Sequence, residues 1–109
     1  MAFDEVLANR IRDLLSGTEG LAEKRMFGGI AFLLSGNMCC GVRGDDVILR
    51  VDPDSAEDAL REPHVRIFDM TGRPMKGWLL VGSDAVASDE QLRSWIGMGV
   101  DFARSLPAK

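Results

Sequence analysis

The stretch Ile30-Ala31-Phe32-Leu33-Leu34-Ser35-Gly36-Asn37-Met38-Cys39-Cys40-Gly41-Val42, continuing through Arg43-Gly44-Asp45-Asp46 into Val47-Ile48-Leu49-Arg50-Val51, decides the fold. Ile30 to Leu34 reads as a strand. Ser35-Gly36-Asn37 then makes a tight reversal, because Gly and Asn tolerate the positive φ that hairpin turns demand. Met38 to Val42 returns as a second strand of the meander. Arg43-Gly44-Asp45-Asp46 turns the chain again, and Val47 to Val51 forms a third. Loops this short force the three segments to run antiparallel. Alternation then picks a core face: Ile30, Phe32 and Leu34 share one side of their strand, and Val47, Leu49 and Val51 share one side of theirs. Each such side chain, fully buried, contributes about 1.5–3 kcal/mol of transfer free energy.

Upstream, Glu23 to Phe27 is a further strand, stopped by Gly28-Gly29. Before it, Leu7, Ile11, Leu14 and Leu15 recur at helical spacing, so a helix runs from Asp4 to Leu15, with Asp4 as N-cap and Ser16-Gly17 as its end. Downstream, Asp52 caps a short helix with Pro53 in its first turn and Ala56 and Leu60 four apart, closed by Pro63. Val65 to Phe68 and Trp78 to Val81 are two more strands, separated by a loop at Thr71-Gly72-Arg73-Pro74. Ser88-Asp89-Glu90-Gln91 is a capping box opening a last helix, whose Leu92, Trp95, Ile96, Val100 and Ala103 form one apolar stripe. The expectation is one α+β domain over residues 1–109: an antiparallel sheet of about five or six strands with the N- and C-terminal helices packed on one face.

The second face of that sheet is also partly apolar. Leu33, Ile48 and Phe68 lie on it with Ala31, and Arg50 and Arg66 are interspersed; these residues (Leu33, Ile48, Arg50, Arg66 and Phe68) form the candidate interaction surface. A solvated face reads more polar than this. Two explanations stand: a partner protein or a second copy of the chain packs there, giving a homodimer, or the second helix or the 69–77 loop covers it.

Composition narrows the function classes. The chain has 109 residues, 46% hydrophobic and 28% charged, enough for a single core. Its formal net charge is −4 and no segment is a basic block. A protein that binds DNA by itself draws most of its non-specific affinity from phosphate neutralisation, so direct nucleic-acid binding is disfavoured. The apolar runs are far too short for a membrane-spanning helix, the acidic N-terminus shows no secretory signal, and two cysteines make no disulfide framework. A reduced, cytoplasmic protein is expected.

The residue types that carry chemistry do not assemble into a recognisable constellation. Cys39 and Cys40 are neighbours on a strand and are expected to point to opposite faces, one as a small buried hydrophobe. The other is a candidate accessible thiol, though nothing nearby lowers its pKa. His64 sits at a loop-to-strand junction with no nameable nucleophilic partner. Gly28-Gly29 lacks phosphate-loop spacing and lies between strands. Gly44-Asp45-Asp46 reads as a turn, and Trp78 and Trp95 as core packing. The sequence assigns no catalytic residue, no cofactor and no metal ligand.

Lys24-Arg25-Met26-Phe27-Gly28-Gly29-Ile30-Ala31-Phe32, followed by Gly36-Asn37-Met38-Cys39-Cys40-Gly41-Val42, resembles the signature of the N-terminal domain of the TfoX/Sxy family. Val47-Ile48-Leu49-Arg50-Val51 and Met75-Lys76-Gly77-Trp78 extend the likeness, which covers nearly the whole chain. The resemblance implies an α+β domain of secretion-chaperone-like architecture, standing without the C-terminal domain of the two-domain regulators. It also implies a non-enzymatic regulator of DNA-uptake competence that acts through a partner, the cyclic-AMP receptor protein. The family supplies no catalytic residues. Two functional classes follow: a regulatory, protein-interaction module acting as a transcriptional co-regulator, and a small enzyme or small-molecule binder. The second would use a pocket near the 69–77 loop with Cys39 or Cys40, His64 and nearby arginines.

Overall fold

The computed structural model describes residues 3–26, 28–69 and 76–107. Its elements are α1 (Glu5–Leu15), β1 (Leu21–Met26), β2 (Gly29–Leu34), β3 (Asn37–Arg43), β4 (Asp46–Arg50), α2 (Pro53–Ala59), β5 (Val65–Ile67), β6 (Trp78–Val81), a 3-10 turn (Ser83–Val86) and α3 (Asp89–Ser105). The architecture is the expected α+β one, with a six-stranded antiparallel sheet. The first strand begins two residues earlier than the sequence predicts, and Phe27 and the 71–74 loop lie outside the described residues.

Local chemistry accounts for the element boundaries. One carboxylate oxygen of Asp4 accepts from the amides of Val6 (2.9 Å) and Leu7 (3.2 Å), which fixes the start of α1. The positive φ of the reversal falls on Ser35 and Gly36 (50° and 86°) rather than on the expected Asn37, which opens β3 and pairs with Leu34 across a two-residue turn whose twist matches the flanking strands. The Asp52 carboxylate accepts from the Asp54 amide at 2.8 Å, with Pro53 in the first turn of α2. Ser88 and Gln91 make the reciprocal capping box that opens α3.

The strands lie in the order β1-β2-β3-β4-β6-β5. After β4 the chain leaves through α2, forms β5 at the edge, and returns through β6 into the gap beside β4. The terminal helices cover one face. Leu7, Ala8, Ile11 and Leu15 of α1, and Leu92, Ile96 and Ala103 of α3, pack with Ile30, Phe32, Leu34, Val47, Leu49 and Val51 in the main core. Alternation identified that sheet face correctly. α3 lies across β3 and β4, and Gly99 is what lets it approach. A Cβ there would stand 2.5 Å from the carbonyl oxygen of Cys39 and 2.9 Å from a methyl of Leu49. Helix and strand backbones therefore meet where no other side chain fits.

Two expectations about side-chain direction are corrected. Between Phe32 and Leu33 the β2–β3 register shifts: Phe32 pairs with Cys40, but Leu33 pairs with Met38. Cys39 is thus the extra residue of a β-bulge, and a bulge breaks strict alternation. Both cysteines enter the main core, each with no exposed surface, instead of facing opposite sides. Trp78, expected in the main core, instead packs half-buried on the opposite sheet face, and Trp95 is half-buried at the main-core margin.

That opposite face closes on a second, smaller apolar cluster: Ala31, Met38, Ile48, Phe68 and Leu80, with Met26, Leu33 and Trp78 against it. α2 does not roof it, because Ala56 and Ala59 belong to the main core. Phe68, just past β5, donates its amide to the Trp78 carbonyl (2.9 Å), and its ring lies 6.4 Å from the Trp78 ring. No helix among the described residues is long and apolar enough to cross a membrane.

Candidate functional site

The five residues of the candidate interaction surface share the second sheet face but differ in access. Phe68 and Ile48 are 0% and 1% exposed, Leu33 and Arg50 are half-buried, and Arg66 is exposed. Ile48 and Phe68 thus belong to the second apolar cluster and have almost no exposed surface. Its rim is made of stacked arginines. The Arg50 guanidinium carbon lies 5.3 Å from the Trp78 ring centroid and 5.5 Å from that of Phe102, and Arg43 lies 6.0 Å from that of Phe68. Such stacking holds a planar cation against an apolar margin while leaving its edge N–H groups wet. Arg66 reaches back across β6 to Asp46 on β4 at 3.1 Å.

A polar cleft of about 510 Å3 opens elsewhere, between the end of α2, the start of β5, the 3-10 turn and the first turns of α3. Its walls carry Glu62, His64, Asp84 and Glu90, and the Trp95 indole lines it while donating to the Ala85 carbonyl at 3.2 Å. The His64 imidazole stands 3.9 Å from an Asp84 carboxylate oxygen. His64 has φ 67°, uncommon for a side-chain-bearing residue, and its carbonyl accepts from the Gly82 amide at 2.7 Å. Among the described residues no arginine or cysteine lines this cleft.

The pocket that sequence reasoning assembled from Cys39 or Cys40, His64 and arginines is thus not brought together. The cysteines lie in the main core and His64 on the surface cleft. Nor is either thiol accessible. Its hydrogen bond with Cys39 and its complete burial push the Cys40 thiol well above the ordinary thiol range, which is the reverse of an activated nucleophile. Among the described residues no group of three His, Cys, Asp or Glu side chains is placed to hold a metal ion.

Sequence reasoning missed the carboxylates around His64, since Glu62, Asp84 and Glu90 converge only through the packing of three elements. It also missed Asn37. This residue is 2% exposed and donates its side-chain amide to the Pro107 carbonyl at 2.9 Å, tying the β2–β3 turn to the chain beyond α3. On the neighbouring edge strand, Arg12 of α1 clasps Glu23 of β1 with two bonds of 2.7 Å. That hydrogen bonding draws the Glu23 carboxyl below the usual carboxylate range and raises Arg12 further.

An antiparallel six-stranded sheet roofed on one face by its terminal helices, with a stacked-arginine rim on the other, defines a compact α+β domain. Residues 13–103 match the TfoX N-terminal domain family, and the chain belongs to that family. No curated protein and no solved structure matches it.

Proposed function

We propose that the chain is a regulatory protein-interaction module, a transcriptional co-regulator that works through a partner protein. The observation that carries this reading is family membership over residues 13–103. Two features support it: the net charge of −4 disfavours unaided DNA binding, and Cys39 and Cys40, the strongest nucleophiles of the chain, are sealed in the core. The partner to test first is the cyclic-AMP receptor protein. Titrating it, with and without cyclic AMP, against the immobilised chain should give saturable binding. The absence of binding to it, together with no stable protein partner recovered from native lysate, refutes the reading.

A second reading, a small-molecule binder, is favoured by the cleft at His64, with its acidic wall and Trp95. Trp95 fluorescence reports it, with Trp78→Phe isolating the signal. A screen of organic cations should quench or shift the emission in a saturable way, and no response to any of them removes this reading.

A further inference from the structure

β1 forms an outer edge of the sheet: among the described residues it pairs with β2 alone. Which of its backbone groups face outward follows from the hairpin beside it. Leu34 and Asn37 flank the two-residue turn, so Leu34, and by alternation Phe32 and Ile30, turn their amides and carbonyls toward β3. Leu33 and Ala31 therefore bond toward β1, to Ala22 and Lys24. The Ser35 amide donates to the Gly20 carbonyl at 3.0 Å, in the same phase. The amides and carbonyls of Glu23 and Arg25 are left pointing off the sheet, a template for another strand.

We propose that this edge pairs with β1 of a second copy of the chain, antiparallel, with Glu23 opposite the partner's Arg25. A two-fold axis perpendicular to a continued antiparallel sheet makes each residue face one on the same side of the sheet. Odd-numbered residues of β1 must then oppose odd-numbered ones. Three registers keep Glu23 and Arg25 near the axis. One sets Glu23 against itself, one sets Arg25 against itself, and the third sets Glu23 against Arg25 twice. Only the third makes opposite-charge pairs. The chain prepares both members: Glu23 is already oriented by Arg12, and Arg25 is in no ion pair among the described residues, its guanidinium lying 5.5 Å from the Phe3 ring centroid. In the dimer each Glu23 lies between its own Arg12 and the partner's Arg25. Lys24 meets its own copy at the axis on the other face, a like-charge contact that keeps the association modest. This pairing is independent of the regulatory reading and of the cyclic-AMP receptor protein.

Sedimentation equilibrium over a concentration series tests it. The parent should show a monomer–dimer equilibrium. Arg25→Glu turns two attractions into two repulsions and should weaken association about tenfold or more, while Lys24→Thr should tighten it. Register is read by cross-linking. Lys24→Cys places its thiol against its own copy in a non-hydrogen-bonded pair, at a separation a disulfide spans, so oxidised glutathione should give a covalent dimer. Ala22→Cys lies opposite the partner's Met26 and should cross-link far more slowly, and the buried native cysteines stay silent. A parent that is monomeric at every concentration overturns the proposal. So does Arg25→Glu associating as tightly as the parent, or Ala22→Cys cross-linking as fast as Lys24→Cys.

Discussion

Replacing Gly99 and Gly97 separately by alanine should move stability in opposite directions, although both lie in the same helix. In an isolated helix each change favours folding by about 0.8–1 kcal/mol, because alanine gives up less backbone entropy. At Gly97 nothing lies within 4 Å of the new methyl, so that gain should appear nearly whole. At Gly99 the methyl would stand 2.5 Å from the Cys39 carbonyl oxygen and 2.9 Å from a Leu49 methyl. Favourable non-bonded contacts begin near about 3.5 Å, so α3 must withdraw from the bulge by roughly the missing ångström, or β3 must flatten. Overpacking of this kind costs about 1–3 kcal/mol, and against the backbone of a bulge the upper half of that range applies. Less the propensity gain, Gly99→Ala should lose about 1–2 kcal/mol. Urea titration followed by far-UV circular dichroism measures both variants, with an unchanged slope showing that the same surface unfolds. Gly99→Ala as stable as Gly97→Ala would refute the close helix–strand contact and the placement of α3 over Cys39.

Glu23→Gln removes a pair whose carboxyl is drawn down by its hydrogen bonds from Arg12. A depressed folded pKa contributes stability that is present above the unfolded pKa and lost as pH falls through the folded one. The pair is largely exposed and screened, so the cost at neutral pH should be about 0.2–1 kcal/mol. Parent and variant urea midpoints should converge in acid and in high salt; a gap that persists in acid contradicts the ion-pair account. Cys39 and Cys40 should resist a water-soluble disulfide reagent in the folded protein and react together on unfolding; a thiol labelled at the rate of a free one would show that the core under Gly99 is open. Phe68→Ala should cost about 3–5 kcal/mol in the same titration. A loss under about 1 kcal/mol would mean that the second apolar cluster is not packed in the monomer.

Much of the fold was legible from short-range chemistry. The Asp4, Asp52 and Ser88 caps, the presence of a reversal at Ser35-Gly36-Asn37 (though Ser35, not Asn37, shares the positive φ with Gly36) and the two-residue period of β2 and β4 each rest on groups a few residues apart. Their geometry does not wait for the rest of the chain. The site was less legible. Naming Ile48 and Phe68 as surface followed from alternation, which says which face a side chain takes but not what else arrives there. His64 was visible as a residue, but its acidic surroundings were not, because they come from α2, the 3-10 turn and α3.

By itself, then, the amino-acid sequence determined the element types, the antiparallel meander and the face the terminal helices cover. The family's pattern of residues is likewise carried there. Only the tertiary structure decided that β6 inserts between β4 and β5, that a bulge turns Cys39 and Cys40 into one core, and that Phe68 is buried in the apolar cluster of the opposite face. The physical reason is range. Turns and caps are held by bonds within one reversal or one helical turn. Strand order, bulge and packing depend on which distant surfaces exclude water together, and the close approach of Gly99 to Cys39 is one such long-range contact.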